Sequence, residues 1–92
     1  MRIEQKPKFQ RKYKKLHSNQ QKDVDKAISD VIKNPDIGGQ KKGDLDWLRV
    51  HKFKMVGQLT LLGYSVDNDG TIVLTFVDVG SHENFYRDIK RS

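Results

Sequence analysis

Apolar residues recur along this chain with two different periods, and the change falls near Trp47. Before it the spacing is helical. Phe9, Tyr13 and Leu16 stand at i, i+4 and i+7 behind Pro7, a residue suited to the first turn of a helix, where its missing N–H is not needed. Val24, Ala27, Ile28, Val31 and Ile32 recur at i, i+3, i+4, i+7 and i+8, which predicts a second helix with one face packed on a sheet. Ser18 and Gln21 have the spacing of a capping box at its start. Asn34-Pro35 ends it, because the residue before proline resists the helical conformation. Ahead of both helices, residues 1–6 form either an edge strand around Ile3 or a frayed end.

From Trp47 the pattern is that of strands. Leu48 and Val50 alternate with Trp47, Arg49 and His51, so a half-buried strand over 47–54 turns Arg49 and His51 away from the Leu48/Val50 face. Alternation breaks at Phe53 to Met55, just before Gly57, which predicts a bulge or turn. Residues 59–66 read as a central strand and 72–79 as its partner, joined by the hairpin signal Asp67-Asn68-Asp69-Gly70. A short segment with helical spacing, 82–91, follows. The expected fold is α+β, a single domain over residues 1–92. Two N-terminal helices pack on one face of an antiparallel sheet, and a short C-terminal helix completes it. Residues 36–46, with Gly38, Gly39, Gly43 and the Lys41-Lys42 pair, have no Gly-Lys-Ser/Thr ending and no strand leading in. They read as a connecting loop and not as a nucleotide-binding P-loop.

Composition narrows the function. The net charge of +6 suits a polyanion or an acidic partner. Much of it lies on the first helix, where Lys6, Lys8, Arg11, Lys12, Lys14 and Lys15 make either a solvated outer face or a phosphate-contacting one. The absence of cysteine removes disulfides, thiol nucleophiles and thiolate metal sites. Residues 1–15 are basic without the apolar core of a signal peptide, and no apolar run reaches membrane-spanning length. A soluble cytoplasmic protein is expected.

The candidate chemistry sits at strand positions and at the last strand's end. His82 follows the apolar run 71–80, and Tyr86 comes four residues later on the same helix face. Arg49, His51, Lys52 and Lys54 are displayed by the strand over 47–54. If Arg49, His51 and His82 line one open sheet face, the result is a cationic groove with two imidazoles. Such a groove has the parts for metal-free RNA cleavage. A base takes the ribose 2′-OH proton, a cation stabilises the developing charge at phosphorus, and an acid protonates the departing 5′-oxygen. Histidine suits either proton-transfer role, and Tyr86 suits base stacking or phosphate positioning. His17, His51 and His82 have no helical ligand spacing and no carboxylates clustered with them, so neither a metal nor any other cofactor is expected.

The order helix, helix, three-strand meander, followed by Gly80-Ser81-His82-Glu83-Asn84-Phe85-Tyr86-Arg87-Asp88-Ile89-Lys90-Arg91, resembles the RelE/ParE superfamily of bacterial toxins from type II toxin–antitoxin pairs. Leu45-Asp46-Trp47-Leu48-Arg49-Val50 and Leu61-Leu62-Gly63-Tyr64 add to the likeness, which covers essentially the whole chain. The resemblance implies a microbial-RNase-like sheet and a ribosome-dependent, metal-independent endoribonuclease, an mRNA interferase cutting message in the ribosomal A site. It also implies inhibition by a cognate antitoxin that wraps the toxin. His82 matches the family's catalytic position after the last strand, Tyr86 its aromatic residue in the final helix, and Arg49 and His51 its RNA-facing strand positions. Lys52, Lys54, Arg87, Lys41 and Lys42 are the accompanying RNA-binding candidates. Where the RelE pattern has an arginine early in the second long strand, this chain has Gln58, Leu59, Thr60 and Leu61. That departure keeps two alternatives open, a ParE-like inhibitor of DNA gyrase and a catalytically weak antitoxin-binding module. His82 together with Tyr86 favours the nuclease.

Overall fold

The computed structural model describes residues 1–91. Strand β1 (Arg2–Gln5) leads into α1 (Pro7–Lys15) and α2 (Ser18–Lys33), and a two-residue β2 (Gly39–Gln40) follows. After a single 3-10 turn over Gly43–Leu45 come β3 (Arg49–Met55), β4 (Gln58–Asn68) and β5 (Ile72–Gly80), then α3 (His82–Arg91). The five strands form one sheet in the order β1-β5-β4-β3-β2. Only β1 runs parallel to its neighbour, pairing with β5; the other pairs are antiparallel. The N-terminal residues are thus an edge strand, closing one side of the meander.

The sheet is covered on both faces. Phe9 of α1 and Val24, Ala27 and Val31 of α2 pack on Leu62, Tyr64, Leu74, Phe76 and Val79. On the opposite face Phe85 and Ile89 of α3 pack on Leu48, Val50 and Leu61. Leu61 and Leu62 are adjacent and fully buried, one in each layer. This is why β4 reads as a continuous apolar run: a strand covered on both sides needs no polar alternation.

Two local features differ from the expectation, the start of α2 and the place of the bulge, and the turn near Met55 is one of the two alternatives expected there. The N-cap of α2 is His17 and not Ser18: the His17 N–H donates to the Gln20 side chain at 2.8 Å, one residue earlier than the Ser18/Gln21 spacing suggests. Gln21 instead donates to the Tyr13 carbonyl at 2.9 Å, fixing the turn between the helices. The break near Met55 is a tight turn without a bulge. Met55 pairs with Gln58, and Val56 and Gly57 both have positive φ, 50° and 80°, the signature of a type I′ hairpin. Val56 is a β-branched residue in the left-handed region. Its N–H donates to the Asp23 carboxylate of α2 at 2.8 Å. The actual bulge lies between β4 and β5, where Gly63 opposes Asp78 while Tyr64 opposes Phe76, leaving Val77 as the extra residue.

That bulge accompanies a buried charge. Asp78 is fully buried, and its carboxylate meets Lys12 at 2.7 Å and Lys8 at 3.5 Å, both from α1. Lys12 also reaches Asp88 of α3 at 3.4 Å. One ammonium therefore joins β5, α1 and α3. A buried carboxylate tolerates its position only with such compensation.

Candidate functional site

The pleat of β3 sorts its candidates onto two faces. Val50 belongs to the layer beneath α3, so Lys52 and Lys54 rise on that side. Phe53 and Met55 belong to the layer beneath α1 and α2, so Arg49 and His51 point there. The expectation that Arg49, His51 and His82 line one open face is therefore corrected. Arg49 donates to the Gly38 carbonyl at 2.8 Å and pairs with Asp36 at 3.3 Å, which ties the loop after α2 to the sheet. His51 lies beside Phe53 with ring centroids 6.3 Å apart. Burial pushes its pKa below the ordinary imidazole value; Asp30 of α2 opposes the shift and Lys26 adds to it.

The α3 side of the sheet brings the other candidates together. Lys52 and Gly80 pair with the same residue, Leu61, from either side. The backbone that delivers His82 is thus two strand spacings from Lys52, roughly 10 Å. Lys54 pairs with Leu59 on the same face, and both side chains are exposed. His82 is exposed at the start of α3 and meets Tyr86 edge-on, with centroids 5.0 Å apart. Phe85 braces Tyr86 edge-on from another direction at 5.1 Å. Lys41 sits 5.2 Å over the Tyr86 ring, its loop held by its own N–H, which donates to the Leu48 carbonyl at 2.9 Å. Lys41 thereby joins the group, whereas Lys42 is exposed at the N-cap of the 3-10 turn.

Arg87 lies on a different flank of α3. It donates to Asn84 at 2.8 Å and, with Lys12, Lys15, Ser81 and Asp88, lines a cleft of about 380 Å³ between α1 and α3. Slight burial pushes the Asp88 carboxyl up, but Lys12 beside it prevails and holds its pKa below the usual value. Neither Leu59 nor Leu61, the residues early in β4 on the α3 side, carries charge. Leu59 is half exposed and Leu61 is fully buried under α3, so the second-strand cation of the RelE pattern has no counterpart there. Among the described residues no cluster of His, Asp and Glu converges as a metal-ligand set. No helix among them is long and apolar enough to cross a membrane.

The sequence reading passed over the Lys12–Asp78–Asp88 group. Its signal was present: Asp78 interrupts an otherwise apolar run, and a carboxylate in a central strand needs a cation beside it.

The family model for the ParE-like toxin of type II bacterial toxin–antitoxin systems matches residues 3–90. The chain belongs to this toxin family. Solved structures agree on the fold. A chain of the intact E. coli RelBE toxin–antitoxin complex is 21% identical, with 87% of this chain and 94% of that one covered at a TM-score of 0.68. A mutant of E. coli RelE in the free state is 22% identical, covering 98% and 95% at 0.69. A RelE mutant in complex with an antitoxin RelBc peptide is 20% identical, covering 96% and 92% at 0.66. Among curated proteins none matches. This toxin therefore has the α+β RelE fold, with α3 and the lysines of β3 on one side of its sheet.

Proposed function

We propose that this toxin is a ribosome-dependent endoribonuclease that cleaves messenger RNA by attack of a ribose 2′-OH on the adjacent phosphorus. One observation carries the reading: His82 stands exposed and edge-on to Tyr86 at the start of α3, on the side of the sheet that displays Lys52 and Lys54. His82 is assigned as the proton-transfer residue. Lys52 and Lys54, RNA-binding candidates from the sequence onward, hold the phosphate and offset its developing charge without Arg49 and His51, which face the other side of the sheet. Tyr86, braced by Phe85 and with Lys41 over its ring, positions the substrate. With one ring face taken by Lys41, the phenol is better placed to orient the phosphate than to stack freely on a base.

The site is cytoplasmic in this reading, where ribosomes and message are found. The partner that silences the toxin is a cognate antitoxin, in line with the complexes of E. coli RelE with RelB. A second reading, a ParE-like inhibitor of DNA gyrase, draws support from the ParE-like family match and from the uncharged Leu59 and Leu61 of β4.

The deciding measurement maps messenger-RNA ends in a purified ribosomal translation system with the wild-type toxin and with His82→Ala. Cuts within ribosome-bound message should appear and fall by about 10²–10⁴-fold in the variant, the usual worth of a general acid or base. Ribosome-bound toxin that leaves message intact would refute the nuclease and direct the next assay to gyrase.

A further inference from the structure

Trp47 separates two clefts of opposite character. One, of about 240 Å³, holds Asp36 and Asp46 beside Arg49. The other, of about 480 Å³, is bounded by the indole, by the apolar walls of Pro7 and Val77, and by the cations Lys6, Lys8 and Arg11. The indole is 47% exposed and is the only tryptophan of the chain.

We propose that this second cleft is a slot for one unpaired nucleotide of a single-stranded nucleic acid, its base against Trp47 and its phosphates on Lys6 and Arg11. An exposed aromatic face across a cleft from cations is the arrangement that takes a planar base and its flanking phosphates together. The charge available there is not neutralised locally. No acidic residue lies in the first turn of α1, and among the described residues Lys6 and Arg11 form no ion pair. Lys8 is shared with the buried Asp78 at 3.5 Å and is the least free of the three. Pro7 and Val77 offer no side-chain donor or acceptor to a base edge, so recognition rests on the indole and the cations. An acidic peptide would satisfy the amines but leave the indole without a planar partner. The slot shares no residue with the His82–Tyr86 group, so it holds a strand whether or not the toxin cleaves it.

Trp47 reports on its own site. Emission of the full-length toxin is followed while a twelve-residue oligouridylate is added, without ribosomes, and again with an oligoglutamate peptide. Saturable quenching by the RNA is expected, weakening as salt rises, with affinity falling about tenfold in Arg11→Glu as one phosphate contact is lost. Trp47→Ala should weaken binding of a labelled oligouridylate, while Trp47→Phe, which keeps an aromatic face, should retain most of it. Circular dichroism establishes that the variants fold. Quenching by the peptide alone, RNA binding that leaves Trp47 emission unchanged, or no response to either ligand would each overturn the proposal. Because no cleavage is scored, loss of the nuclease reading would leave this result standing, and the reverse also holds.

Discussion

The Phe85 ring lies against the backbone of Gly63, so closely that a methyl group at Gly63 would stand 2.5 Å from Cζ and 2.9 Å from Cε2. Phe85 sits between the residues that carry the site on α3, so this contact sets where His82 and Tyr86 are presented. Gly63→Ala should force the fully buried Phe85 outward and tilt α3. We expect a loss of about 1–3 kcal/mol in urea unfolding, the usual range for overpacking. Cleavage should fall as well, although no chemical group of the site has been removed. Pairing it with Phe85→Leu, which frees room, should recover part of both.

If the proposed site is right, substitutions on the two faces of β3 should separate activity from stability. Lys52→Ala and Lys54→Ala should weaken cleavage of ribosome-bound message and leave the unfolding midpoint nearly unchanged, since both side chains are exposed. Arg49→Ala should act the other way, removing the 2.8 Å bond to the Gly38 carbonyl at about 1 kcal/mol while cleavage persists. Equal loss of cleavage in Arg49→Ala and Lys52→Ala, at matched stability, would contradict the assignment.

Lys12 should behave as a structural cation. Lys12→Met removes the 2.7 Å partner of a fully buried carboxylate, leaving Lys8 at 3.5 Å as its cation beside the Val79 N–H, which donates to it at 2.8 Å. Breaking a buried pair from one side costs about 3 kcal/mol. The double variant Lys12→Met with Asp78→Asn should regain much of that, as a double-mutant cycle in denaturant would read out.

His51 gives stability a pH dependence near neutrality. The unfolded imidazole takes up its proton around pH 6.5, whereas burial against α2 lowers the folded value. Between the two values the unfolded chain binds more protons. Stability is therefore full above pH 6.5 and declines as pH falls from there through the folded pKa. His51→Gln should flatten that portion of the curve. A slope unchanged in the variant would assign it to another group.

Val56 is strained at φ 50° in the β3–β4 turn. Type I′ turns favour Asn-Gly, and asparagine tolerates the left-handed region that a β-branched residue resists. Val56→Asn should raise stability by about 1 kcal/mol in thermal or urea unfolding, provided that its N–H still meets Asp23. The apolar side chain is half exposed, so little packing is lost.

Local pattern alone determined much of this protein. The stripe of Phe9, Tyr13 and Leu16, the repeat from Val24 to Ile32 and the stop at Asn34-Pro35 defined two helices, because helical periodicity is written within a few residues. The turn at Gly70 and the apolar runs around it defined β4 and β5, and the i, i+4 spacing of His82 and Tyr86 placed them on one flank of α3. Other features had no local signature. The two-residue β2 is too short to show a period, and the His17 cap depends on how α1 and α2 meet. The site itself turned on a tertiary choice. Alternation along β3 separates Arg49 and His51 from Val50 and Lys52, but it does not say which face a helix will cover. Only the packing of α2 over His51, and of α3 over Leu61 on the other side, left Lys52, Lys54 and His82 together in the open. A strand has two equivalent faces until the rest of the chain folds onto one of them.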